Sequence, residues 1–410
     1  MSYLLWKENL PVTSEIASRI DLQDYPIVVL QHAVSDTVRF LSHLQRKSWA
    51  NDIHFIAKPY SVKPQRIEEI MQAGIHVSSE RNYSIIETPG YLEKVLERAS
   101  KNSKLPPIIL EVGGCFSRPL SQKWHNVTWV VEVTTFGHNR YLKTLPDLSA
   151  PIYSIARSKI KEEEANHVGQ AVVTSLEILL KDLGRDLCSG QVLMIGYGMI
   201  WKSVTNTLKW RNARTSVYDT SSFRRHEANQ RGFETSPHIA ELTQSADMII
   251  SSTGQQWISA DIIRGCPDGI ILVSAWSRQN EVDIDFLEKN TSEKTSIHKY
   301  MDRYVIDGKD VFVVREGKNV NFVGESCPDK CMDLIHAGVL SCVIDLLNKW
   351  KTNGRWLIHE LSPQSLEDIY ELHEQFWHQR KPSFVPEIPL ITDIWSIIDA
   401  VDQPHLPWFE

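Results

Sequence analysis

Two glycines set directly behind an apolar run are the strongest chemical signal in the chain. Gln191–Ile195 reads as a buried strand, and Gly196-Tyr197-Gly198 follows it without a gap. Glycines at this spacing permit a tight turn. They also let backbone amides approach a diphosphate at the next helix's N-terminus, where free N–H groups and the helix dipole favour anions. Asp219 closes the following strand, 21 residues beyond Gly198. A carboxylate there accepts hydrogen bonds from ribose hydroxyls and repels a ribose phosphate, so NAD is expected rather than NADP. Trp201 stands where a third glycine would let helix and strand pack closely. An indole at that place must push the helix outward or take up part of the cofactor's space. In the first half of the chain, His32 follows the apolar run Pro26–Leu30, and Lys161 lies beside Glu162, Glu163 and Glu164. Either could move a proton; the plainer readings are a core-edge histidine and a solvated charge run. Lys58 and Ser61 follow the strand Asp52–Ala57, as part of an ordinary turn or as contacts for a phosphate or carboxylate.

These groups need a frame to hold them. Apolar runs at Pro26–Leu30, Asp52–Ala57, Pro107–Leu110, Val127–Val131 and Pro151–Ile155 alternate with helical stretches such as Asp36–Leu44 and Gln65–Ala73. Such alternation predicts a parallel sheet covered on both faces. Glu162–Lys181 reads as one long helix. Beyond the polar break Gly184–Gly190, a second series has strands at Val192–Ile195, Thr215–Tyr218, Met248–Ser252, Ile270–Val273 and Val311–Val314. The segment Cys331–Lys349 is apolar on a helical period, and the tail is helical, then rich in Pro and Trp. The expected fold is α/β, with two doubly wound parallel-sheet domains around a cleft. The second is a Rossmann NAD-binding domain, and a helical C-terminal segment follows. The expected units are 1–185, 186–335, and 336–410 returning to the first domain.

Composition narrows the classes. A chain of 410 residues with 42% hydrophobic content is enough for two cores. A net charge of -7 argues against a general nucleic-acid binder. The six cysteines are scattered, and no second pair at zinc spacing follows Cys327 and Cys331, so no metal site is expected. The first residues lack a basic stretch followed by an apolar core, and no run reaches 18 apolar residues. No membrane association and a reducing, cytoplasmic location are the expectations.

Read together, the motifs resemble the adenosylhomocysteinase (S-adenosylhomocysteine hydrolase) family over roughly residues 25 to 350. The family's G-Y-G-x-V-G-K-G stands here as Gly196 to Ser203. Its acid thirteen residues before a Gly-Tyr or Gly-Phe pair is Asp219 before Gly232-Phe233. T-T-G appears as Ser252-Thr253-Gly254, and E-G-R-L-V-N-L as Glu316 to Phe322. D-D-G-G-D is matched by Glu111 to Cys115, E-E-T-T-T-G by Glu132 to Gly137, and N-D-S-V-T-K-S-K-F-D-N by Ala156 to Asn166.

The resemblance implies that bound NAD oxidises a ribose hydroxyl to labilise a thiol. It places His32 and Lys161 at catalytic positions. It also implies cofactor contacts from Thr134, Thr135, Asn166, Thr253, Gly254 and Asn321, beside Gly196, Gly198 and Asp219. Several family groups are replaced: two aspartates by Val112 and Cys115, a glutamate by Val133, and the lysine's aspartate by Ala165. A histidine motif has become Ser274-Ala275-Trp276-Ser277. The later Gly-His gate has no counterpart near Ser326-Cys327-Pro328, and Lys381-Pro382 is too slight a match for the closing tail. A valine cannot hold a ribose hydroxyl or move a proton. The expected function is therefore NAD-dependent oxidation or modification of a nucleoside or small hydroxylated metabolite, not ordinary S-adenosylhomocysteine hydrolysis. The alternative is a non-catalytic relative that binds a ligand or partner protein in the same cleft. A dimer or tetramer is implied by the resemblance alone. Trp201, Trp257 and Trp276 are expected along one cofactor edge, closing it or packing it.

Overall fold

A computed structural model describes residues 10–378 apart from 23, 47–52, 102, 104, 123–128, 149, 189, 276–279, 325–326 and 350–356. Trp276, Ser277, Ser326, Lys381 and Pro382 lie outside the described residues.

The first sheet uses β1 (Ile27–Gln31), β2 (Ile53–Ala57), β3 (His76–Val77), β4 (Ile108–Glu111), β5 (Trp129–Glu132) and β6 (Ile152–Ser154). The second uses β7 (Gln191–Ile195), β8 (Arg214–Tyr218), β9 (Glu234–Thr235), β10 (Met248–Ser251), β11 (Ile270–Ser274), β12 (Lys294–His298), β13 (Met301–Ile306) and β14 (Lys309–Val314). Last in the chain, β15 (Ile358–Glu360) pairs parallel with β6, so the C-terminal segment completes the first sheet. The first sheet runs β15-β6-β5-β4-β1-β2-β3 and the second β12-β13-β14-β11-β10-β7-β8-β9. Central strands such as β1, β2, β4 and β5 are buried along their whole length. Continuous β-branched and apolar runs are what a sheet covered on both faces demands.

The expected strands all form, most within one or two residues of the sequence reading. The second sheet differs at one edge, where β13 pairs antiparallel with both β12 and β14. Four of the five residues of β12 are exposed, so it carries no apolar signal. Helix Asp329–Lys349 is long and apolar enough to cross a bilayer, but 78% of its apolar window is buried. Its residues Leu334, Ile335, Leu340, Val343 and Leu346 belong to the first domain's core. It is a core helix, and it returns the chain to the first domain.

Strand order reverses at β1 in the first sheet and at β7 in the second. In open α/β sheets the carboxyl ends of strands at such a reversal leave a crevice, because the connections on either side diverge. Both crevices are present, and the chemically capable residues gather around them.

Candidate functional site

The second domain's crevice, of about 260 Å³, is lined from three strand ends: Gly196 and Gly198 after β7, Asp219 after β8, and Ser252 and Thr253 after β10. Gly196 is left-handed at φ +99°, so its turn excludes a side chain. Gly198 caps helix Met199–Trp210 with no side-chain bond, which leaves the first-turn amides to a ligand. Asp219 Oδ2 accepts from Tyr197 N and Oδ1 from Ser221 N, both at 2.8 Å, while Arg224 Nη1 lies 3.5 Å from Oδ2. Those bonds fix the carboxylate and still leave lone pairs for ribose hydroxyls. Behind β10, the buried Glu281 accepts from Ser251 Oγ, from Thr253 Oγ1 at 3.1 Å and from Gly254 N at 2.5 Å. Burial pushes its carboxyl up. Gly254 turns at φ +79°, so this carboxylate shapes the loop.

Trp201 tests whether a dinucleotide fits. The ring is 4% exposed and packs in the domain core with Tyr197, Val172 and Val204. Its Nε1 lies 2.8 Å from where a Cβ on Gly196 would stand, so the indole is accommodated because Gly196 has no side chain. The body of the ring faces inward and one edge lines the crevice, which remains open. Ser252 Oγ is buried at that wall with no hydrogen-bond partner among the described residues. An open glycine cradle beside an orphaned hydroxyl suits a polar, phosphorylated ligand. Trp257 lines the same crevice and meets Tyr218 edge-on at 5.5 Å.

A second cavity, of about 210 Å³, lies between the domains. His32, Lys58, Thr134, Thr135, Lys161 and Asn321 reach it from the first domain, its long helix and the Asn319–Asn321 turn, and Met199 and Ile200 from the dinucleotide helix. Ser61 Oγ donates its single proton to Lys58 O at 3.1 Å. In the 2.7 Å contact between His32 Nδ1 and Ser61 Oγ, the tautomer with its proton on Nδ1 donates to the serine. That leaves Nε2 with its lone pair. Burial, with Lys58 and Lys161 nearby, holds the imidazole neutral, down to about 3. Lys161 is ion-paired with Glu164 on the next helical turn, not free in a solvated run. Thr37 Oγ1 is buried at the same wall with no hydrogen-bond partner among the described residues.

Behind the wall lies a polar cluster. Glu132 Oε1 accepts from Gly113 N at 3.0 Å and from Thr134 N and Oγ1, each at 2.6 Å, and its Oε2 accepts from Gly114 N at 2.8 Å. Glu111 accepts from Cys115 N at 2.7 Å and from Tyr141 OH. Burial, then Glu132 beside it, pushes Glu111 up to about 7. Arg140 pairs with Glu87 at 2.8 Å.

The structure thus divides the sequence's candidates. Gly196, Gly198, Asp219 and Thr253 share one crevice, with Gly254 in its loop. His32, Lys161, Thr134, Thr135 and Asn321 share the other cavity. Asn166 lines neither: it is exposed, and its carbonyl accepts from Ser203 Oγ at 2.7 Å, tying two helices together. Val112 and Ala165 line the cleft, so its wall is apolar at two of the replaced positions. Ser252, Glu281 and Thr37 were missed, since a buried hydroxyl or carboxylate announces itself by its partners rather than its spacing. Among the described residues, no cluster of His, Cys, Asp or Glu is disposed to hold a metal.

Residues 178–327 match the family model described as S-adenosyl-L-homocysteine hydrolase, NAD binding domain. The chain is 26% identical to the S-inosyl-L-homocysteine hydrolase of Methanopyrus kandleri over 296 residues, 68% of this chain and 66% of that protein, just under two thirds of its length. It is 24% identical to the adenosylhomocysteinase of Saccharolobus solfataricus over 345 residues, 81% of each. Among solved structures it is similar to a dipicolinate synthase subunit from Bacillus halodurans, with a TM-score of 0.42 and 12% identity over 82% of this chain and 100% of that one.

Proposed function

We propose, from the premise that this chain is a divergent member of the adenosylhomocysteinase-like family, that it binds NAD and oxidises or otherwise modifies a nucleoside or small hydroxylated metabolite. The observation that carries this reading is the meeting of His32 and Lys161 with Met199 and Ile200 in one cavity. Those last two residues open the helix whose first turn faces the dinucleotide crevice.

Gly196 and Gly198 would hold the diphosphate, Asp219 a ribose, and Thr134, Thr135 and Asn321 the end of the cofactor that enters the cleft. When bound, NAD supplies a hydride acceptor. The remaining work falls to the chain's own groups. His32 Nε2 accepts the hydrogen bond of the substrate hydroxyl and takes its proton as the C–H bond breaks. The proton rests on His32 Nε2, and burial beside two lysines makes that imidazolium costly. Lys161, held by Glu164, stabilises the developing alkoxide charge. Val112 and Ala165 exclude water and offer no second proton-transfer group. Ordinary elimination of a thiol, followed by addition of water, lacks its acid and base on that wall. The same loss favours a second reading, a ligand-binding relative without turnover.

The test is to mix NAD-loaded protein with a panel of nucleosides and follow reduced nicotinamide by its absorbance. Turnover of one nucleoside, cut by about 100-fold or more in His32→Gln and Lys161→Met, is the expected result. A rate untouched by both substitutions removes the assignment. Tight nucleoside binding with no reduction of the cofactor favours the non-catalytic reading.

A further inference from the structure

Lys58 is 1% exposed, yet it lines the cleft at the end of β2. Its Nζ donates to Tyr83 OH at 3.0 Å and lies 3.7 Å from Cys115 Sγ. Both partners are neutral near pH 7. Among the described residues, no carboxylate lies within ion-pair distance of it. The acidic groups nearby are already committed: Glu132 to the amides of Gly113, Gly114 and Thr134, Glu111 to Cys115 N and Tyr141, and Glu87 to Arg140. Lys161, the other lysine lining the cavity, has its ion-pair partner in Glu164. An ammonium has three donors, and Lys58 directs one to a hydroxyl and one to a weakly accepting sulfur. Its Nζ stands 2.8 Å from where a Cβ on Gly113 would be, so any side chain at Gly113, which turns at φ +103°, would crowd the amine.

Buried charges in proteins are paired, because taking an ammonium out of water costs several kcal/mol that only a counter-charge returns. Here the described residues supply none in contact: the cavity's lining includes Val34, Val112 and Phe322, and its carboxylates Asp36 and Glu164 are paired with His336 and Lys161. We infer that the cleft takes a substrate bearing a carboxylate, whose oxygens pair with Lys58 Nζ and Tyr83 OH. A single uncompensated charge and one hydroxyl match a monoanion better than a phosphate dianion, which would call for more donors. This deepens the reading of the cleft as a substrate site and rests on it.

The test uses thermal melts of the full chain in potassium butyrate, in butyramide and in inorganic phosphate, at constant ionic strength, with wild type and Lys58→Met. Butyrate should raise the wild-type melting temperature saturably, the isosteric amide should not, and the butyrate shift should vanish in Lys58→Met. Without any additive, Lys58→Met should melt about 2–4 °C higher than wild type, because a buried cation lacking a contact partner has been removed. A lower melting temperature for Lys58→Met would show that the amine is a structural brace balanced by Glu111 at a distance, and overturns the inference. So does a butyrate shift that persists in the variant, one matched by butyramide, or a larger one from phosphate. NAD content, measured separately on both proteins after denaturation, reports on the cofactor reading alone.

Discussion

His32 and Glu111 are displaced in opposite directions by the same burial, and their effects on stability have opposite signs. His32 is held down to about 3, against 6.5 for an ordinary imidazole. The unfolded chain therefore takes up the proton first. The stability from His32 is complete above pH 6.5 and is lost as pH falls from there towards 3. Glu111 is pushed up to about 7, against 4.5. Its contribution is complete below pH 4.5 and is lost as pH rises through 7. Urea unfolding across pH should show both slopes. Glu111→Gln should flatten the decline between pH 4.5 and 7, and His32→Gln the decline on the acid side. A Glu111→Gln variant that keeps the wild-type slope would mean that this carboxyl titrates normally.

The decisive local element on the first domain is the Gly113-Gly114 turn and the helix start that locks it. Both glycines are left-handed, at φ +103° and +61°, and their amides point at Glu132. Gly137 lies so close to that carboxylate that an added Cβ would overlap it. Gly137→Ala should therefore cost about 1–3 kcal/mol through overpacking, and loosen the turn that sets Gly113 beside Lys58. Chemical denaturation measures this; an alanine variant as stable as wild type contradicts the packing. Much of this was legible beforehand. The strand ends could be placed from apolar runs, and Thr134, Thr135 and the glycine pair from the family resemblance. The work of Glu132 and Glu111 could not, because a carboxylate at a strand end reads alike whether it faces water or four buried donors. Asn166 shows the converse limit: a helical position can be placed to the residue while the face it presents depends on packing against Ser203.

At the scale of the whole molecule, two sheets that each reverse strand order set their crevices at a common cleft. The helix Asp329–Lys349 and β15 bring the chain back to close the first domain. Alternating strand and helix patterns made that architecture readable. The antiparallel edge was not, because β12 is exposed on most of its length and carries no apolar period. Trp201 was the one residue that set local sequence against overall fold. Its ring turns inward over Gly196 and leaves the crevice open, so the cofactor site survives the loss of the third glycine. Purified protein, denatured and cleared, should release NAD close to one per chain, and Asp219→Ala should release far less. Protein that yields none, and that fails to take up added NAD by calorimetry, would contradict the dinucleotide site on which the proposed chemistry depends.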